Sequence, residues 1–158
     1  MPITIFIIIA ILIILFATLY GFRPRYPYFA QKTILTKAEI YFFKSLREAI
    51  PEQFAIAPKV RMADIITCTD ANWARGYGAK ISSKHIDFVL YDRETFEIKL
   101  AIELDDKSHQ KSDRQKRDQF VNESFRTAQV PLLRVPTAQR YNANELRQAI
   151  EEAIKNVA

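Results

Sequence analysis

The chain has 158 residues, a formal net charge of +5, two histidines and one cysteine. That length holds one domain and a short extra element; the basic balance is compatible with nucleic acid or an anionic membrane surface as a partner but is too modest to single out either. Cys68 has no partner for an internal disulfide, and one cysteine with two histidines cannot build a structural zinc site.

Residues 3–20 carry no charge, and Thr4 and Thr18 are their only clearly polar side chains. Eighteen helical residues at about 1.5 Å each reach about 27 Å, close to the thickness of a hydrocarbon core. A cleaved signal peptide would have a basic start, a shorter apolar run and a small-residue cleavage site. Nothing basic precedes this run, and no Ala-x-Ala-like site follows it. Residues 1–22 are therefore expected to form one uncleaved transmembrane helix. Arg23, Arg25, Lys32 and Lys37 follow the span. The positive-inside rule then expects a single-pass protein of the inner (cytoplasmic) membrane with its C-terminal domain in the cytoplasm. Residues 23–33, with Pro24, Tyr26, Pro27 and Tyr28, read as a juxtamembrane linker to a folded domain over 34–158.

That domain opens on a helix. Thr36 is placed as its N-cap, with Glu39 at capping-box spacing. Ile40, Phe43, Leu46, Ala49 and Ile50 give an apolar stripe, and Pro51 ends it. Residues 54–66 look extended, with a strand expected over 60–66. Residues 67–83 read as a long loop or a short helix holding Trp73, Arg75, Gly76, Gly78 and Lys80; a loop of that length often carries function. Two apolar, β-branched and aromatic runs follow at 85–91 and 98–105, and six mostly polar residues join them as a long hairpin loop. The charged stretch 106–118 leads into a helix that buries Phe120, Val121, Phe125 and Ala128. Residues 132–135 form a short strand between Pro131 and Pro136. A last helix, capped by Asn142, presents Leu146, Ala149, Ile150 and Ile154. After the anchor the expected order is αβββαβα, an α/β domain with a mixed sheet flanked by helices.

The two central runs hold the chemistry. Side chains alternate along a strand. Ile86, Phe88 and Leu90 share one face, and Asp87, Val89 and Tyr91 share the other. Ile98, Leu100, Ile102 and Leu104 share a face; Lys99, Ala101, Glu103 and Asp105 share its opposite. Glu103 and Asp105 thus point the same way, about 7 Å apart along the strand. The natural hairpin register brings Asp87 toward them. Carboxylates within central strands are rarely buried unless paired or bound to a cation. Three that converge make an oxygen-rich site suited to Mg²⁺ or Mn²⁺. The plainer reading makes Asp105 and Asp106 strand-end residues, pairs Asp87 with a basic neighbour, leaves Glu39 as a capping residue only and treats 106–118 as a solvated helix face.

The element order, the acids on the second and third strands, the Thr36-x-x-Glu39 helix start, the run Ile102-Glu103-Leu104-Asp105-Asp106-Lys107-Ser108-His109, Arg117-Asp118 and Pro131-Leu132-Leu133-Arg134-Val135 together resemble the restriction-endonuclease-like PD-(D/E)xK nucleases. Within that superfamily they look more like one branch, a bacterial family of unknown function related to the very-short-patch-repair endonucleases, in which a membrane anchor before the domain is common. The resemblance covers about residues 34–156 and implies an αβββαβ core with one divalent-metal site. It puts Asp87 and Glu103 at the metal-binding acids of the motif, with Glu39 completing the set and Asp105 as a further ligand or general base. Ile86 replaces the motif's proline, which ligates nothing. Asp105 stands where the motif has lysine; His109 is the candidate for part of that role, and Lys84 and Lys107 could also reach. The implied function is a membrane-anchored, Mg²⁺- or Mn²⁺-dependent nuclease acting on nucleic acid, DNA before RNA. Its phosphate contacts would come from Lys84, Lys107, Lys111, Arg114 and Arg117, with Trp73 and Tyr77 as stacking candidates. The departure at Asp105 motivates an alternative, a catalytically inactive nuclease-fold module that binds nucleic acid or a protein partner at the membrane.

Overall fold

A computed structural model of the chain describes residues 3–21, 26–105 and 112–156; for residues 19–21 and 112–114 it describes the backbone only. The chain divides into two compact units, Met1–Lys32 and Thr33–Ala158.

The first unit is helix α1, Ile3–Gly21, which has no acidic residue in its first turn and no basic residue in its last. Its described side chains, 3–18, are exposed throughout. Among the described residues no helix is long and apolar enough to cross a membrane.

The second unit is a mixed α/β domain. Helix α2 spans Lys37–Ala49 and strand β1 Phe54–Arg61; short helices α3, Asp70–Ala74, and α4, Tyr77–Ser82, lead to β2, His85–Asp92. Then come β3, Ile98–Asp105, helix α5, Ser112–Thr127, β4, Leu132–Pro136, and α6, Ala143–Lys155. The four strands lie in the order β1-β2-β3-β4. The first three are antiparallel to their neighbours, and β4 runs parallel to β3. The expected mixed sheet flanked by helices is present.

The two faces of the sheet bury different helices. Phe88, Leu90, Leu100 and Ile102 face α2 and α6, packing with Phe42, Leu46, Leu146 and Ile150. Val89 and Ala101, on the opposite face by alternation, pack with Val121 and Phe125 of α5. Most of these side chains are fully buried, and each contributes about 1.5–3 kcal/mol by leaving water.

Four local expectations are corrected. Helix α2 turns Glu39, Phe42, Leu46 and Ala49 inward, so Phe42 takes the central place expected of Phe43. Phe42 has two aromatic partners, Phe88 and Tyr141, and that packing decides among the adjacent aromatics. The strand expected over 60–66 ends at Arg61, and Met62–Asp64 is a 3₁₀ turn. Met62 and Ile66, four apart, both enter the core beside Ile81 and Ile86, which is helical and not strand spacing. Ile86 therefore belongs to that cluster and not to the one around Phe88 and Leu90. Ala128 is exposed, because α5 ends at Thr127 and the chain turns there toward β4.

Both rims of the sheet carry a proline, Pro58 in β1 and Pro136 at the end of β4. Proline lacks the N–H a ladder needs and is tolerated at such rims.

A carboxylate cluster beside a cationic cleft

Helix α2 is pinned by a capping box. The Thr36 N–H donates to Glu39 Oε2 at 2.9 Å, and the Glu39 N–H donates to Thr36 Oγ1 at 3.4 Å. The other Glu39 oxygen, Oε1, accepts a 2.8 Å hydrogen bond from Lys59 Nζ. Glu39 is thus both a cap and a member of the cluster, and its carboxylate is buried to 9% exposure.

Lys59 sits in β1 with a φ of +55°, in the left-handed region that a lysine seldom adopts. It stands between Pro58 and Val60, which pair with Phe88 and Ile86, so Asp87 lies across from it. The Lys59 ammonium donates to Asp87 Oδ1 at 2.8 Å as well as to Glu39. Burial pulls its pKa down, but the hydrogen bonds to Asp87 and Glu39 outweigh burial and hold it above its ordinary value.

Asp87 also reaches toward β3. The β2–β3 pairing runs to Phe88 and Ile102, and beyond it the Leu104 N–H donates to Asp87 Oδ2 at 3.0 Å. A side chain there continues what the backbone ladder leaves off, and it aims Asp87 at the neighbouring carboxylate.

That carboxylate is Glu103, at 8% exposure. Its Oε1 has no hydrogen-bond partner among the described residues. Burial pushes its pKa up to about 7, and the charge of Asp87 adds to that rise, while Arg117 and Arg134 pull it back. An ionised carboxylate is not stable in such a place without a cation or further donors.

Asp105 faces a different partner. Arg134 of β4 donates from Nη1 to Asp105 Oδ1 at 2.6 Å and from Nη2 to Asp118 Oδ1 at 3.3 Å. Its Nε donates to Asn122 Oδ1 at 2.8 Å. Arg134 pairs with Glu103 in the parallel β3–β4 register, so its charge lies along the same face of the sheet. The guanidinium therefore ties β3 and β4 to α5.

A cleft of 680 Å³ opens beside Asp87. Lys59, Lys80, Lys84, Lys116, Arg117 and His85 line it with Asp87, Ser83 and Phe120. Lys59 is taken up by Asp87 and Glu39, and the positive charges of Lys80, Lys84, Lys116 and Arg117 make the cleft a place for an anion.

Residues 31–154 match a family of proteins of unknown function, DUF2726. The chain belongs to the DUF2726 family. No curated protein matches it, and no solved structure does.

In the DUF2726 domain the Lys59 ammonium joins Asp87 to Glu39, and the charge of Asp87 acts on Glu103. Asp87 has the basic partner of the plainer reading too, in Lys59. Asp105 lies on the same face but is bound to Arg134. Among the described residues no three of His, Cys, Asp and Glu form a group that could hold a metal ion. Lys84 and Arg117 line the cleft. Lys107, His109 and Lys111 lie outside the described residues, as does the side chain of Arg114. Trp73 packs on Gly78 so closely that a side-chain carbon there would run into the indole ring.

Lys59 is the site residue that sequence reasoning did not reach. One signal was available: it is the only charge in Phe54-Ala55-Ile56-Ala57-Pro58-Lys59-Val60, directly after a proline. Lys80 and Lys116 likewise gain meaning only through the cleft they share.

Proposed function

We propose that this DUF2726 domain is a divalent-metal-dependent nuclease of the PD-(D/E)xK kind, tethered to the inner membrane by residues 3–20. The observation that carries the reading is the buried Glu103 carboxylate, unpartnered at Oε1 among the described residues and acted on by the charge of Asp87, which itself lines a cleft with Lys59, Lys80, Lys84, Lys116 and Arg117.

The donor set suits Mg²⁺ or Mn²⁺. Glu103 and Asp87 are hard oxygen ligands, and a cation would relieve the charge that burial penalises at Glu103. When bound, such an ion polarises a phosphoryl oxygen and makes water more acidic. The protein's own residues supply the rest. Lys84, Lys116 and Arg117 bind phosphate oxygens; Lys107, Lys111 and the Arg114 side chain lie outside the described residues and enter only as candidates from the sequence. The Leu104 N–H fixes the orientation of Asp87. Lys59 faces the cleft at the height of the carboxylates and takes over the charge-stabilising role that Asp105 cannot fill. Asp105, held by Arg134, positions β3 and α5. His109 is the candidate to carry a proton, since its ordinary pKa lies near neutrality.

A second reading is an inactive nuclease fold that binds nucleic acid. Lys59 favours it, because its ammonium already compensates Glu39 and Asp87. One experiment separates the two. The full chain, in detergent micelles, is incubated with labelled DNA and RNA in Mg²⁺, Mn²⁺ or EDTA beside D87N and E103Q. Metal-dependent cleavage that both substitutions abolish supports the nuclease. Salt-dependent binding without cleavage, retained by both variants, supports the binding module. The tether is tested separately by membrane fractionation of the chain against a form with two arginines placed in residues 3–20, which should move to the soluble fraction.

A further inference from the structure

A second cavity, of 430 Å³, adjoins the cationic cleft. Its walls are mostly apolar and include Ile66, Tyr77, Ile81, Phe120 and Ala128, with one carboxylate, Glu123, whose charge is met by Arg126. Phe120 lines both spaces. The two are linked a second time. Lys84 Nζ, of the cleft, lies 5.0 Å from the centre of the Phe120 ring. Lys80 Nζ, also of the cleft, lies 5.0 Å from the centre of the Tyr77 ring. Each aromatic wall of the cavity thus carries an ammonium group that belongs to the anion-binding cleft.

We infer that this cavity receives one unstacked nucleobase of the strand whose phosphates occupy the cleft, so that the substrate is single-stranded or locally unpaired nucleic acid. This rests on the nucleic-acid reading above and goes beyond it. Aromatic walls stack a base whatever its identity, and a groove of positive charge tracks the backbone beside it. A base inside a duplex is already stacked on both sides and must be extruded first, which costs least where pairing is broken or absent. Charge decides against an aliphatic occupant such as a lipid tail or an apolar peptide. Those gain nothing from two ammonium groups on the walls, whereas a base arrives with a phosphate attached. Tyr77 is half exposed, so its ring is open to a ligand.

The test uses the full chain in detergent micelles, in EDTA to prevent cleavage, and three labelled probes: a mixed-sequence single strand, the same strand made abasic throughout, and its blunt duplex. The single strand should bind about tenfold more tightly than either of the others. Ala128→Trp fills the cavity from an exposed position and should erase that preference; Tyr77→Ala, also exposed, should reduce it by a second route. Lys84→Ala should weaken all three probes alike. Equal affinity for the three probes, or a preference that survives both cavity variants in folded protein, overturns the inference and leaves the nuclease reading standing. Absence of salt-dependent binding to any probe overturns both.

Discussion

Lys59 and Asp87 meet across the first two strands, ammonium to carboxylate at 2.8 Å, and the same ammonium serves Glu39 at 2.8 Å. One cation thus holds the start of α2 to the middle of the sheet. Lysine in a left-handed backbone conformation is strained, so the two ion pairs must outweigh that strain.

Lys59→Met should therefore destabilise the fold, by about 1–2 kcal/mol once solvent screening of this partly exposed lysine is allowed for. Millimolar Mg²⁺ should return part of the loss, because it can replace the missing charge. Thermal melting with and without the ion reads both effects. A variant as stable as the parent would rule out Lys59 as the keystone of the cluster.

The elevated pKa of Glu103 makes stability depend on pH. Its folded value, about 7, lies above its ordinary 4.5. The folded chain therefore holds a proton that the unfolded chain has lost, and stability falls as pH rises between those two values, then levels off. Glu103→Gln stays neutral throughout. It should be more stable than the parent at pH 8.5 by as much as about 3 kcal/mol, with the gap closing at acid pH or on adding Mn²⁺. Urea denaturation across pH measures this. If the parent is the more stable chain at pH 8.5 without metal, Glu103 has a partner there already. The sign for activity is the reverse. Metal binding needs the ionised form, so cleavage should rise through about pH 7.

Arg134 holds Asp105, Asp118 and Asn122 at once through its planar fork. Lysine is a single point charge and cannot reproduce that geometry. Arg134→Lys should cost about 1–2 kcal/mol, with the loss confined to the packing of α5 on the sheet. Hydrogen exchange should then quicken in α5 and leave α2 and α6 unchanged. Uniform acceleration across the domain would mean the network is not local.

Lys84, Lys116 and Arg117 line the cleft, whereas the ion pair described for Asp87 is with Lys59. Each substitution to alanine should lower the log–log salt slope of nucleic-acid binding by about 0.7–0.9 and weaken all sequences equally. Slopes unchanged in all three variants would remove the cleft from the binding surface.

Much of this arrangement could be read ahead of the coordinates, and the limits have physical causes. Asp87 and Glu103 stand out in the sequence because strand alternation is strict and an acid within an apolar strand is rare. Thr36, Glu39 and Asn142 were found because caps act over a few residues. Lys59 was hidden, since its role depends on pairing between β1 and β2 and on a backbone angle that lysine disfavours. The inward face of α2 was misread by one residue because Tyr41, Phe42 and Phe43 are adjacent, and only contacts with distant Phe88 and Tyr141 choose among them. The turn after Arg61 was missed because Met62 and Ile66 look equally apolar in either period. Asp105 was placed on the correct face, but its partner Arg134 lies 29 residues away.

The prolines at the two rims of the sheet bear on how copies of this domain coexist. An open four-stranded sheet could in principle recruit a neighbour's strand at either border and grow without end. Here one border strand holds Pro58 next to a lysine in a left-handed turn of backbone, and the other is five residues long and finishes on Pro136. Neither offers an unbroken row of donors. A neighbouring copy would thus find only a short edge at β4 and an interrupted one at β1, and intermolecular β-pairing, the common route to fibrils, is disfavoured at both borders.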